Sequence, residues 1–210
     1  MSKLKICGLK TKEDVEIINE TQPDYCGFIV DYPKSRRSLE PNEACRLAAN
    51  VLETVKKVAV FVDEPMEKVI KTMASFDMAQ LHGKESESYI EELKRKTSKP
   101  VIKAVIPKDA TDVEYFCKTK AEYLLFDAGK GEGRAFDWEI LKNVRSSRKY
   151  FLAGGLNEEN IGSALDTLDP YAIDISSGVE SDGKKDYAKI KRITEFLRNN
   201  QERGNNDDVF

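Results

Sequence analysis

Eight short apolar runs, each followed by a longer amphipathic stretch, constrain this chain more than any other feature. The runs lie at 4–7, 25–30, 57–62, 78–81, 101–106, 123–126, 150–153 and 172–175. They are rich in β-branched residues, as expected of strands buried on both faces. Helical patterns separate them, at 11–21, 41–52, 65–75, 86–97, 109–119, 137–144, 157–168 and 186–199. Thr11 caps the first of these. Pro41 and Pro65 open the next two, where a missing N–H costs nothing. Such alternation demands a parallel sheet with right-handed crossovers. An open doubly wound sheet and a closed barrel both satisfy it, and eight units with no change of character midway favour the barrel. The predicted fold class is therefore α/β, a compact single-domain (β/α)8 TIM barrel. About 200 residues is near the lower limit for that fold, so loops must be short. No Ser/Gly-rich linker divides the chain. One domain is expected over 1–200, followed by a polar, disordered tail at 201–210.

Composition excludes several function classes. The 34 basic and 37 acidic residues are well mixed and give a net charge of −3, so no nucleic-acid partner is expected. No stretch approaches the roughly 18–20 apolar residues of a membrane span. The start of the chain lacks the apolar core of a signal peptide, which points to a cytoplasmic location. Cys7, Cys26, Cys45 and Cys117 match no metal-ligand spacing and are expected as free thiols. With His82 the single histidine, a two-histidine metal site is excluded.

In a barrel the carboxyl ends of all strands meet at one mouth. In this register the mouth receives Cys7, Arg36, Arg37, Asp63, His82, Asp127, Gly154, Gly155, Asp174, Ser176, Ser177 and Gly178. Leu152-Ala153-Gly154-Gly155-Leu156-Asn157 passes from strand to helix through two residues without a Cβ, so backbone amides at a helix start can approach an anion. Ile175-Ser176-Ser177-Gly178-Val179-Glu180 offers the same one unit later, with hydroxyl donors added. Together these loops predict a phosphate site. Asp127 leaves an apolar strand, a setting that can raise a carboxyl pKa and suit it to general-acid work; an N-cap is the alternative. The glycine-rich segment 128–134 after it reads as a mobile cover, and Phe136 and Trp138 as packing anchors. Arg36 and Arg37 suit forked pairing with a carboxylate, or a solvated basic loop. Cys7 is apolar filler, a nucleophile paired with His82, or a proton-transfer base. Cys26, Cys45 and Cys117 read as packing residues.

Lys5-Ile6-Cys7-Gly8, Gly27-Phe28, Pro33-Lys34-Ser35-Arg36-Arg37, Val58-Ala59-Val60-Phe61-Val62, Gln80-Leu81-His82-Gly83, Phe136-Asp137-Trp138, Gly154-Gly155-Leu156 and Asp174-Ile175-Ser176-Ser177-Gly178-Val179-Glu180 occur in this order. The set resembles the phosphoribosylanthranilate isomerase family, over nearly the whole chain except its tail. The resemblance implies a compact barrel with no cofactor and no metal. It implies the Amadori rearrangement of N-(5-phospho-β-D-ribosyl)anthranilate to 1-(2-carboxyphenylamino)-1-deoxy-D-ribulose 5-phosphate, in L-tryptophan biosynthesis. The family's general base falls on Cys7 and its general acid on Asp127. Its carboxylate-binding arginine falls on Arg37, with Arg36 beside it because the run Phe28–Tyr32 is one residue longer than usual. Phosphate contacts fall on Gly155, Ser177 and Gly178, and Asp174 is a supporting carboxylate. The expected partner is the small-molecule substrate, with the chain a monomer or a homodimer. A Cys7 base calls for a thiol pKa below the free value near 8.5, set by a cationic mouth and helix N-termini. Two rivals remain: a related barrel isomerase or epimerase on another phosphosugar, and a catalytically silent barrel that binds a phosphorylated ligand or a protein.

Overall fold

The computed structural model describes residues 2–127, 139–142 and 148–206. Eight parallel strands form the barrel: β1 (Lys3–Cys7), β2 (Tyr25–Val30), β3 (Lys56–Phe61), β4 (Met78–Leu81), β5 (Val101–Val105), β6 (Tyr123–Asp127), β7 (Tyr150–Ala153) and β8 (Ala172–Ile175). Each pairs with its sequence neighbours, and β1 pairs with both β2 and β8, so the barrel closes and none of these eight strands is left as an edge. The helices are α1 (Lys12–Thr21), α2 (Pro41–Ala48), α3 (Met66–Met73), α4 (Glu87–Thr97), α5 (Ala110–Phe116), α6 (Glu139–Lys142), α7 (Ile161–Thr167) and α8 (Tyr187–Asn206).

Local chemistry accounts for these boundaries. Thr11 accepts from the amide of Asp14 while the Asp14 carboxylate accepts from that of Thr11, a reciprocal capping box. Gln22 then ends α1 in the left-handed region. Ser86 and Asp109 cap α4 and α5 in the same side-chain manner.

Strand alternation sorts the apolar residues into two cores. Outward-facing Leu4, Ile6, Phe28, Phe61, Leu81 and Phe126 pack beneath the helices. Inward-facing Tyr25, Val58, Met78, Ile102, Leu125, Phe151 and Ala172 fill the barrel. Phe151 meets Tyr25, Tyr123 and Tyr171 at ring-centroid distances of 5.4, 5.7 and 5.8 Å, an aromatic floor at the amino end of the strands. Large rings close that end, so the inward polar residues collect at the other.

The structure departs from expectation in three places. The chain after the Gly154-Gly155 turn does not become helical until Ile161, so those amides belong to a turn and not to a helix N-terminus. The last helix continues to Asn206, into the segment read as a polar tail. Ser38–Leu39 adds a two-residue parallel strand beside β2, and Glu180–Ser181 pairs antiparallel with Lys184–Lys185. These pieces are too short for a periodic signal to show. The expected cover segment 128–134 and the anchors Phe136 and Trp138 lie outside the described residues.

Candidate active site

A cavity of about 360 Å³ opens at the carboxyl ends of the strands. Cys7, Arg37, His82, Asp127, Gly154, Gly155, Asp174, Ser176, Ser177 and Gly178 all line it, with Ile29, Val60 and Gln80 as part of its wall. Of the residues expected there, Arg36 and Asp63 are set apart. Arg36 is largely exposed and reaches Glu180 from outside. Asp63 accepts the Lys84 amide at 2.5 Å and shapes the loop after β4. A Cβ on Gly83 would lie 2.4 Å from an Asp63 carboxylate oxygen, so the two loops interlock there.

Lys5 and Cys7 are two apart on β1 and face inward together. Lys5 pairs in register with Asp174 on β8, and its ammonium meets the Asp174 carboxylate at 2.9 Å. Cys7 pairs in register with Gly27. A methyl group there would fall 2.7 Å from the Cys7 Sγ and 3.1 Å from the Lys5 Nζ, so the missing side chain supplies the room both occupy. Burial pushes the Cys7 thiol above its ordinary value. Lys5 is the chief opposing influence, with help from Lys185, while Asp174 pushes it further up. The expected lowering by a cationic mouth and helix N-termini is therefore corrected: withdrawal from water outweighs the nearby cations.

At β4 and β6 a second chain of contacts forms. The Gln80 amide nitrogen lies 3.0 Å from His82 Nδ1, and His82 Nε2 lies 3.3 Å from Asp127 Oδ2. A donor on Nδ1 leaves the ring proton on Nε2, facing Asp127. Both ring nitrogens are engaged, and neither with Cys7, so the Cys–His pair is not formed. The loop bearing His82 is held by Glu85, which accepts from the amides of Asp63 and Gly83 and pairs with Lys103 at 2.7 Å.

Arg37 crosses over the end of β1. Gly8 has φ 82°, and a Cβ on it would meet Arg37 Cδ at 2.4 Å. Glu180 grips Arg37 in forked geometry, at 2.6 Å to Nε and 2.8 Å to Nη2, and also takes Arg36 at 2.7 Å and Lys185 at 3.0 Å. Burial acts to raise the Glu180 carboxyl, but its bonds to Arg37 and Lys185 prevail and hold it down at about 2. Three cations around one carboxylate leave an excess of positive charge at this wall. That favours an anionic ligand group.

The loops after β7 and β8 touch through Gly178, where a Cβ would come 1.9 Å from the Leu156 carbonyl oxygen. Ser177–Val179 form one turn of 3-10 helix. Ser176 ties this loop to β1 by donating to the Cys7 carbonyl at 3.0 Å. The close approach of the two loops brings Gly155, Ser177 and Gly178 together in the lining of the cavity.

Sequence reading missed Lys5, Gln80, Glu180 and Lys185. A signal existed for the first two: a lysine and a glutamine at inward positions of apolar strands, each two residues before a mouth residue. Glu180 and Lys185 come together only through the short hairpin.

Residues 4–196 match the model of the family N-(5'phosphoribosyl)anthranilate (PRA) isomerase. An N-(5'-phosphoribosyl)anthranilate isomerase of Endomicrobium trichonymphae is 42% identical over 205 residues, covering 94% of this chain and 99% of the relative. A structure of monomers generated from the dimeric Thermotoga maritima enzyme superposes with a TM-score of 0.83 at 35% identity, covering 95% of this chain and 100% of the other. A phosphoribosylanthranilate isomerase in complex with reduced 1-(o-carboxyphenylamino)-1-deoxyribulose 5-phosphate gives the same score, identity and coverage. The chain belongs to the N-(5'-phosphoribosyl)anthranilate isomerase family.

Proposed function

We propose that Cys7 and Asp127 carry the Amadori rearrangement of N-(5-phospho-β-D-ribosyl)anthranilate as general base and general acid. The observation that carries this is their placement. They line one cavity from β1 and β6, nearly across the barrel, with an anion-binding corner and a cationic wall between.

The phosphate sits at the amides of Gly154, Gly155, Ser177 and Gly178 with the Ser176 and Ser177 hydroxyls. Arg37 receives the anthranilate carboxylate, and Arg36 buttresses it through Glu180. His82 orients Asp127, and Asp174 supports Cys7 from β8. Protonated Asp127 gives its proton to the furanose ring oxygen, and the C1–O bond breaks to a cationic Schiff base. Cys7, as thiolate, takes the proton from C2, and the C–H electron pair becomes the C1–C2 double bond of a neutral enolamine. Tautomerisation moves the C2 hydroxyl proton to C1 and leaves the ketone. One proton then passes from the Cys7 thiol back to the Asp127 carboxylate through solvent. Burial strengthens the thiolate as a base but makes it scarcer, so the charges beside Cys7 decide how much of that base is present.

Single-turnover kinetics with deuterium at C2 test the role of Cys7. The chemical step slows with the label in the wild type; equal rates with and without it overturn proton removal at C2 as the step that limits the chemistry. The expected assembly, monomer or homodimer, is read by sedimentation. A dimeric relative from Thermotoga maritima supports the second form.

A further inference from the structure

Lys5 is the most completely buried charged residue among those described, with no exposure to solvent. Withdrawing an ammonium from water costs several kcal/mol even after relaxation, so such a charge persists only where anions hold it. One such anion is Asp174, at 2.9 Å. A second polar atom faces it along its own strand: the Cys7 sulfur and the Lys5 nitrogen flank the same empty point above Gly27. Asp174 Oδ1 is buried without a hydrogen-bond partner, so the carboxylate gives one oxygen to Lys5 and its second oxygen to no described group.

We propose that Lys5 is a positioning residue for the reaction: its ammonium, tethered by Asp174, faces the Cys7 sulfur and increases the fraction of it present as thiolate and able to take a proton. The charged groups around that sulfur come from four elements. Lys5 lies on β1, Asp174 on β8, Lys185 on the hairpin after β8, and Arg37 on the loop after β2. Among the cations Lys5 acts most strongly on Cys7. Burial works against the Lys5 ammonium, but Asp174 and Cys7 together raise it to about 12, so it stays charged over the whole working range. The arrangement makes the two neighbours opposite in sign. Lys5 favours the thiolate. Asp174 disfavours it electrostatically while fixing the lysine that favours it.

The inference rests on Cys7 as the base, and its test separates the two. Alkylation of Cys7 by iodoacetamide is followed against pH, with site-resolved mass spectrometry to distinguish Cys26, Cys45 and Cys117. Lys5→Met is expected to raise the midpoint by at least about one pH unit, a tenfold loss of thiolate below it. Asp174→Asn is expected to lower it. In turnover, Lys5→Met is expected to lose kcat with little change in KM, and to regain kcat as pH is raised toward its new midpoint. A residue that merely fills space would move neither the midpoint nor the pH profile. Unshifted alkylation midpoints in both variants, or an unshifted pH profile in Lys5→Met, overturn the proposal. Should Lys5→Met fail to fold, Asp174→Asn decides alone: a midpoint unmoved or raised overturns it. Alkylation needs no turnover, so a shifted midpoint together with an active Cys7→Ala would condemn the role of Cys7 as base and leave the thiolate pairing standing.

Discussion

His82 Nε2 stands 3.3 Å from Asp127 Oδ2, with Gln80 on the other ring nitrogen. The pair spans β4 and β6 across the intervening β5, and it fixes where one Asp127 carboxyl oxygen points. An imidazole held from behind orients its partner much as an outer group orients a ligand. His82→Ala is therefore expected to lower kcat about tenfold while KM changes less than threefold, an effect of about 1.4 kcal/mol on the barrier. Steady-state kinetics check it; a KM effect larger than the kcat effect would place His82 on the substrate instead.

Glu180 binds Arg37, Arg36 and Lys185, and its carboxyl is held down at about 2 in the folded chain. A depressed folded value means stability that is present above the ordinary carboxylate range and lost as pH falls toward the folded value. The stability gap between wild type and Glu180→Gln is thus expected to be full at pH 6 and to shrink between about 4.5 and 2. Denaturant midpoints across that range measure it. Loosening Arg37 should also raise KM about tenfold, equivalent to about 1.4 kcal/mol of binding. A gap independent of pH would separate Glu180 from this role.

Gly178 is required by space: its Cβ position lies 1.9 Å from a backbone carbonyl. Backbone cannot swing aside as a flexible side chain does. Gly178→Ala is expected to push the β7 and β8 loops apart and raise the dissociation constant for inorganic phosphate or a sugar phosphate at least tenfold. Calorimetric titration reads this directly, and unchanged phosphate affinity would move the anion site elsewhere.

Phe151 is the centre of the aromatic floor and is fully buried. Phe151→Ala is expected to cost about 3–5 kcal/mol in unfolding free energy, the usual loss for emptying such a site. Urea unfolding gives the value; a loss under about 1 kcal/mol would mean that the barrel interior collapses around the gap.

Periodicity exposed the barrel because its signal is spread over eight repeats, each too apolar to sit at a surface. Strand positions followed closely for the same reason. Helix ends did not: α2 stops at Ala48 and α7 starts at Ile161, where turn geometry and not apolar spacing sets the boundary. Cys7, Asp127, Arg37 and the glycine loops were legible because strand ends converge on one mouth. Lys5 shares the inward parity of Cys7, but what a buried lysine does there was not legible, since its partner Asp174 comes beside it only through the β1–β8 register. Nor was the direction of the Cys7 shift, which depends on how completely the sulfur is withdrawn from water.

The assignment of Cys7 and Asp127 is tested most directly by the fluorescence of phosphoribosylanthranilate during incubation with the protein. Wild type is expected to remove it well beyond spontaneous hydrolysis. Cys7→Ala and Asp127→Asn are each expected to slow that loss by about 10²–10⁴-fold. No enzyme-dependent loss with the wild type, or undiminished loss with either variant, would contradict it.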